Sequence, residues 1–350
     1  MKRNSGIKGA LSYAWREGTV YIILVALIIL FSIVGRPYFF TWGNFKNILS
    51  ESSYFVIAGM GIAFVMIGGG IDLSVGYEMA MVATSSYLLI QKLRAGGGEF
   101  TVGLFILIIL WGIVLGFVMG LINGIIVTKL KLFPLIVTMA TSEVFKGICL
   151  TITQSKSYSG LPELFRSVYT VRLGWLGGLP VDVIIAFAIM LITWFVLNKT
   201  HFGRDILAVG GNRECARLSG IKADFIQTMT YAITGAVFGI AALDMMAHQN
   251  MTSATNGPGT EFTCLTAAII GGISFMGGKG NVWGLTAGIF VMQIISTGMQ
   301  LAGTSAYMQY AVKGIILLAA ISFDAIKNKP RPAVRVHNDE EKKPEIEAKA

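Results

Sequence analysis

Apolar runs of near-spanning length recur along the chain, at about 18–35, 54–71, 74–91, 101–128, 132–153, 179–197, 226–247, 262–276, 282–302 and 306–322. Each approaches the roughly 20 residues a helix needs to cross a bilayer, and within lipid a helix satisfies its own backbone polar groups. The pattern predicts an all-α polytopic membrane protein of about ten transmembrane helices, occupying 18–326. One polar, basic loop, 198–225, divides the sixth run from the seventh. Glycine runs interrupt or end the second, third and eighth segments, and Gly68, Gly69 and Gly70 can break one helix or separate two.

Charge is sorted by position. With the N-terminus inside, inner segments hold Lys2, Arg3, Lys8, Arg16, Lys129, Lys131, Lys199, Arg204, Arg213, Arg217, Lys222, Lys279 and the tail from Lys327. Outer segments hold Arg36, Lys46, Lys92, Arg94, Lys156, Arg166 and Arg172. The asymmetry predicts a cell-membrane protein with a cytoplasmic basic N-terminus (1–17), a cytoplasmic 198–225 loop and a cytoplasmic charged tail (327–350). Arg36-Pro37 follows the first run in place of a small-residue cleavage pattern, so that run reads as a retained span. The 154–178 loop, with Pro162 and Trp175, is the longest outer surface.

Composition agrees. Hydrophobic residues make up 54% and charged residues 13%, and the mean hydropathy is +0.68, far from the quarter-charged average of soluble domains. The net charge of +9 is topology signal, and no basic stripe with aromatics suggests nucleic acid. Cys149, Cys215 and Cys264 have no metal spacing and are expected as small packing residues; the three histidines form no cluster. Neither a metal nor a cofactor is expected.

Glycine, at 42 residues, is the second organising feature. Gly112, Gly116, Gly120 and Gly124 recur every four residues and form a small-residue ridge, expected to serve helix packing. The clusters Gly68 to Gly70 and Gly271, Gly272, Gly277, Gly278 and Gly280 lie at span ends, where freed backbone groups mark either a translocation path or flexible connections. MIGGGIDLS and IIGGISF look alike, which is read as glycine-rich chance similarity ahead of a repeat.

Within the polar loop, Asn212 is a good N-cap, 213–219 contain no breaker, and Gly220 suits the left-handed position that closes a helix. Cys215 and Leu218 share one face; Arg213 and Arg217 share another that can meet carboxylates on a partner. A solvated loop helix and a docking helix both fit these residues.

GRDILAVGGNRECARLSGI at 203–221, GGGIDLSVG at 68–76, AAIIGGISFMGGKGNVWG at 267–284 and KGIILLAAISFD at 313–324 together resemble, in order, the motifs of ribose/galactose/xylose-type ABC importer permeases. The resemblance covers about 18–326. It implies a non-enzymatic translocation subunit working with an ABC ATPase, an extracytoplasmic sugar-binding protein and a second permease subunit, either identical or a close paralogue, in membrane lipid. It assigns ATPase coupling to Gly203, Arg204, Ala208, Gly210, Asn212, Arg213, Ala216, Arg217, Ser219 and Gly220, with Ala216 and Gly220 filling a groove of the ATPase. It makes Gly69, Gly70, Asp72, Ser74, Gly76, Glu261, Gly271 and Gly272 the candidates for the translocation path or its gate. Thr263 replaces an Asp often seen in the family, and the cargo implied is a monosaccharide, pentose or hexose.

Charges in the spans need partners. Glu143 and Lys146, three apart, are expected to pair; Asp72 is expected to cap the third span. The chain has no G-x4-G-K-[ST] loop, HExxH or nucleophile motif. The alternative to an ATP-driven permease is an ion-coupled secondary transporter of a small polar solute, using Glu143, Asp72 or Asp244.

Overall fold

The computed structural model describes residues 4–35, 37–95, 98–174 and 177–327, with side chains from 18 to 326. Arg36, Trp175, residues 1–3 and the 328–350 tail lie outside the described residues. Thirteen helices occur in order among those described: α1 (Asn4–Val34), α2 (Trp42–Ile67), α3 (Val75–Arg94), α4 (Val102–Lys129), α5 (Pro134–Thr153), α6 (Glu163–Thr170), α7 (Val181–Lys199), α8 (His201–Gly211), α9 (Arg213–Leu218), α10 (Ala223–Gln249), α11 (Thr260–Ile270), α12 (Val282–Leu301) and α13 (Ala306–Lys327). Helix α1 runs unbroken through the boundary expected near residue 17.

Seven of those described, α2, α4, α5, α7, α10, α12 and α13, are long and apolar enough to cross a membrane, against the expectation of about ten. The apolar part of α1, Gly18–Val34, is shorter, and α3 is long enough but carries Glu78, Gln91, Lys92 and Arg94. The eighth apolar run contains only the 11-residue α11. At 1.5 Å per residue that is about 16 Å, half the roughly 30 Å hydrocarbon core.

Glycine closes α11 early. Gly272 sits at φ +89°, Gly272 N donates to Ile269 O at 3.0 Å, and Ile273 N donates to Ala268 O at 2.9 Å. Helix α2 ends the same way: Gly69 at φ +78° donates to Met66 O at 3.0 Å and Gly70 N to Val65 O at 2.8 Å. Both are paired 5→2 and 6→1 closures around a left-handed glycine. MIGGGIDLS and IIGGISF thus share one local closure.

The core is centred on α2 and α10, where Ile57, Met60, Ile62, Phe238 and Tyr231 are almost fully enclosed. Helix α10 packs on α2, α3, α4 and α8. The α4 ridge meets α10 backbone to backbone: a Cβ at Gly124 would come 2.7 Å from Thr228 O, and one at Gly116 or Gly120 would overlap the carbonyl oxygen of Gly235 or Tyr231. The ridge thus serves helix packing, as its spacing suggested. By contrast, none of the most apolar stretch of α13 is buried, and it rests on α11 and α12.

The 154–178 loop is partly ordered by pairing. Strand β1 (Tyr158–Ser159) runs antiparallel to β4 (Met251–Thr252), and β2 (Arg172–Leu173) to β3 (Leu179–Pro180). Between β1 and β2, α6 buries Phe165 and Tyr169, whose rings lie 5.6 and 6.2 Å from that of Phe105.

Candidate functional site

The 198–225 loop holds two helices. Thr200 caps α8 by accepting from Gly203 N at 3.1 Å, and Gly203, Ile206 and Val209 turn inward. Only α9 was expected; the cue for α8 is the Thr200 cap followed by apolar Phe202, Ile206 and Val209 at helical spacing. Helix α9 forms as its ends predict: Asn212 Oδ1 accepts from Cys215 N at 2.9 Å, and Gly220 sits at φ +86°. Gly220 N donates to Arg217 O at 3.0 Å and Ile221 N to Ala216 O at 3.1 Å. Ser219 Oγ donates to Cys215 O at 2.9 Å, and the Ala208 carbonyl accepts from Asn212 N at 3.0 Å.

Three expectations about this loop are corrected. Ala216 is buried against its own chain, so it seats α9 and presents nothing to a groove. The outward face belongs to Cys215 and Leu218, the latter 74% exposed; Cys215 is thus no packing residue. Arg213 and Arg217 find carboxylates on their own chain, Asp224 at 2.6 Å and Glu214 at 2.6 Å. Arg217, by hydrogen bond and charge, holds the Glu214 carboxyl below its usual range. Arg204 Nη2 lies 2.7 Å from His201 Nδ1.

The three glycine motifs meet behind the loop. Gly278 N donates to Ile67 O at 2.8 Å, tying the turn after α11 to the end of α2. A Cβ on Gly210 would come 2.7 Å from Gly278 N, one on Gly277 2.7 Å from Gly69 Cα and 2.8 Å from Gly210 O, and one on Gly278 2.6 Å from Gly211 Cα. The end of α2, the end of α8 and the 271–280 turn are therefore in backbone contact. The structure brings Gly69 and Gly210 together and adds Gly277 and Gly278, which the sequence flagged only as span-end glycines. Gly203 likewise abuts the Val196 and Leu197 carbonyls of α7.

The remaining path candidates lie in other places. A Cβ on Gly70 would come 2.6 Å from Tyr231 Oη, while Gly271 packs on Gly284 in the α11–α12 turn and Gly272 faces open space. Gly76 packs on Gly257, and a Cβ there would come 2.5 Å from Glu261 Oε2. Glu261 Oε1 accepts from Gly259 N at 2.9 Å.

Asp72 does not cap α3; Ser74 holds the N-cap position, and Asp72 Oδ1 accepts from Ser74 N at 2.8 Å and from Ser74 Oγ. Ser74 joins a fully buried cluster with Glu78 and Asn123, where Asn123 Nδ2 lies 2.9 Å from Ser74 Oγ and 3.0 Å from Glu78 Oε1. Asn123, on α4, carried no signal in the sequence because its partners are about 50 residues away.

Each carboxylate considered for ion coupling has a partner on at least one oxygen, while Asp72 Oδ2 and Asp244 Oδ1 are buried without one among the described residues. Asp244 accepts from Ser53 Oγ at 2.6 Å, and Glu143 pairs with Lys146 at 3.1 Å, as its spacing predicted. No group of three His, Cys, Asp or Glu able to hold a metal occurs among the described residues.

A family profile described as "Branched-chain amino acid transport system / permease component" matches residues 44–321. The chain is 32% identical over 315 residues to the D-allose transport system permease protein of Escherichia coli (strain K12), covering 90% of this chain and 93% of the relative. It is 32% identical over 332 residues to the galactose/methyl galactoside import permease protein of the same organism, covering 91% and 97%. With the ribose import permease protein of Bacillus subtilis (strain 168) it shares 33% identity over 308 residues, covering 88% and 92%. No solved structure matches.

Proposed function

The chain belongs to the family of branched-chain amino acid transport system permease components, and from that premise we propose that it is the membrane subunit of an ATP-driven sugar importer. The family is one of transport permeases, which are not enzymes, and the chain is a multi-pass membrane protein. The cargo is a pentose or hexose, in keeping with relatives named for ribose, galactose and allose. An extracytoplasmic binding protein delivers it, and a separate ATPase supplies the energy.

The observation that carries this reading is the seating of α9. It stands outward, with Leu218 exposed, while α8 behind it is fixed by Gly210 to the end of α2 and to the 271–280 turn. A push on α9 from the cytoplasm reaches two membrane-embedded helix ends through backbone contacts, with few rotamers to absorb it.

A second permease subunit, identical or paralogous, faces α5, where Glu143 is 67% exposed. A charge left in lipid costs at least about 2.5–3.5 kcal/mol on insertion scales, which favours protein or water over acyl chains at such faces.

The test co-expresses the permease with candidate ABC ATPase and sugar-binding-protein subunits and follows tritiated ribose, galactose and allose. Leu218→Asp changes an exposed residue, so permease abundance stays at the parent level while uptake and ATPase co-purification are lost. Normal uptake by that variant removes the coupling role of α9. Uptake that persists without ATP on a sodium or proton gradient removes the ATP-driven reading.

A further inference from the structure

We propose that the cavity between the middle of α2, the start of α11 and the outer half of α13 is where this permease holds its solute, and that the solute is an uncharged polyhydroxylated molecule. The proposal rests on the sugar-importer reading above. The cavity has a volume of about 570 Å³, and its walls include Tyr54, Asn256, Thr260, Phe262, Tyr310 and Lys313. Sites for small molecules fall in the range of about 300–1,000 Å³.

Its depth follows from α2. Tyr54 comes twelve residues after Trp42 and thirteen before Ile67, the two ends of that helix. At 1.5 Å per residue the cavity is about 18–20 Å from either end, near the middle of the membrane. The start of α11 reaches that level because α11 is a half-length helix. Its first residue, Thr260, and the preceding Gly259 form part of the cavity wall. Broken helices that end at mid-depth are a general way of placing polar groups around a transported solute.

The chemistry of the wall is specific. Thr260, Tyr310 and Lys313 line the cavity, and their hydroxyl and ammonium groups make no hydrogen bond or ion pair among the described residues. An unpaired lysine in a membrane helix is costly, and such residues mark solute pathways. Asn256 adds an amide, its Nδ2 donating to Gln249 Oε1 at 2.9 Å and leaving its carbonyl oxygen available. Tyr54, Phe262 and Tyr310 supply aromatic faces.

Donors and acceptors set among aromatic rings fit a sugar, whose hydroxyls line its edge and whose C–H groups cover its face. Lys313 is the one cationic residue of the wall, and no carboxylate is part of it. Glu261 is next to the site in sequence but is turned to Gly259 N and Gly76. A single ammonium among neutral groups serves as a donor to a hydroxyl or ring oxygen, whereas a phosphate or other multivalent anion calls for several.

The assay uses cells expressing the whole importer and measures uptake of tritiated D-ribose, D-galactose and D-allose. Lys313→Met and Thr260→Val each lower the maximal uptake rate of the imported sugar at least ten-fold. The half-saturating concentration, set by the binding protein, is unchanged, as are permease abundance and ATPase co-purification. Lys313→Arg, which keeps a donor, retains more uptake than Lys313→Met. A binding readout guards against a purely structural effect: in purified importer carrying Cys215→Ala, a cysteine introduced by Tyr310→Cys reacts with N-ethylmaleimide at least three-fold more slowly in 100 mM of the imported sugar.

Wild-type uptake by both Lys313→Met and Thr260→Val overturns the assignment of the cavity while leaving the importer reading intact, and so does an unchanged labelling rate at residue 310. A parent importer that carries none of the three sugars overturns both. Stronger protection by D-galacturonate than by the neutral sugars overturns the uncharged class.

Discussion

Gly210→Ala is the sharpest single test of how the loop is joined to the membrane part. The added methyl overlaps the Ile67 carbonyl oxygen and comes 2.7 Å from Gly278 N and 2.9 Å from Ile67 C, all backbone atoms that no rotamer change can move. Relief to an ordinary separation of about 3.5 Å requires α8 to move outward by roughly 1 Å or more, given van der Waals optima for such pairs. That displacement also pulls on the 2.8 Å bond from Gly278 N to Ile67 O. Overpacking costs about 1–3 kcal/mol and a lost backbone hydrogen bond about 0.5–1.5 kcal/mol, so a destabilisation of about 2–4 kcal/mol is expected. Gly211→Ala is the internal control, since a Cβ there meets nothing within 4 Å, and a helix gains up to about 1 kcal/mol when Gly becomes Ala. Reversible SDS titration of the purified permease measures both, and uptake measures the consequence. Gly210→Ala should unfold at lower SDS and lose most transport, while Gly211→Ala matches or exceeds the parent. Equal midpoints for the two variants would refute the backbone junction.

Gly220→Val should lose uptake and ATPase co-purification because φ is +86°, a conformation that costs an L-residue about 1–2 kcal/mol, whereas Gly220→Asn should stay near the parent; equal behaviour of the two argues against the left-handed closure. Arg213→Ala should be mild in the same assays, since its bond to Asp224 is an exposed pair worth about 0–1 kcal/mol. Gly116→Val should abolish accumulation of the permease in membranes, because its side chain overlaps the Gly235 backbone, while Gly103→Val, with only Thr101 Oγ1 at 3.8 Å, should accumulate normally by immunoblot. Asn123→Leu removes the donor to Ser74 and Glu78 in a buried cluster and should cost about 1–3 kcal/mol in SDS titration; an unchanged midpoint would mean the cluster contributes nothing.

What the sequence disclosed was local, and what it withheld was tertiary. Hydropathy located the spans because bilayer thickness sets their length, and the every-fourth-residue glycines of α4 announced a close helix contact without naming α10. Hydropathy also overran the glycine closures: the run at 262–276 stays apolar past Gly271 and Gly272, so the short α11 is visible only through backbone geometry. Asn212 and Gly220 disclosed the ends of α9, since capping is set within a few residues. The orientation of Ala216 and Leu218 was not disclosed, because either face of a six-residue helix can turn inward. Arg213 finds Asp224 eleven residues on, beyond the spacing that helical pairing rules cover. The meeting of Gly69, Gly210 and Gly277 joins segments up to about 200 residues apart, and the cavity around Lys313 needs three helices to exist.

The glycine ridge of α4 bears on how the molecule can deform. Where peptide touches peptide, no soft side chains lie between the helices to tilt or exchange rotamers, and interiors packed so closely resist compression. Helices α4 and α10 thus behave as one stiff post, with α2 braced against it. Helix α13 stands apart from this post, uncovered along its apolar stretch and in contact with α11 and α12, so a displacement of it leaves the α4–α10 backbone contact untouched.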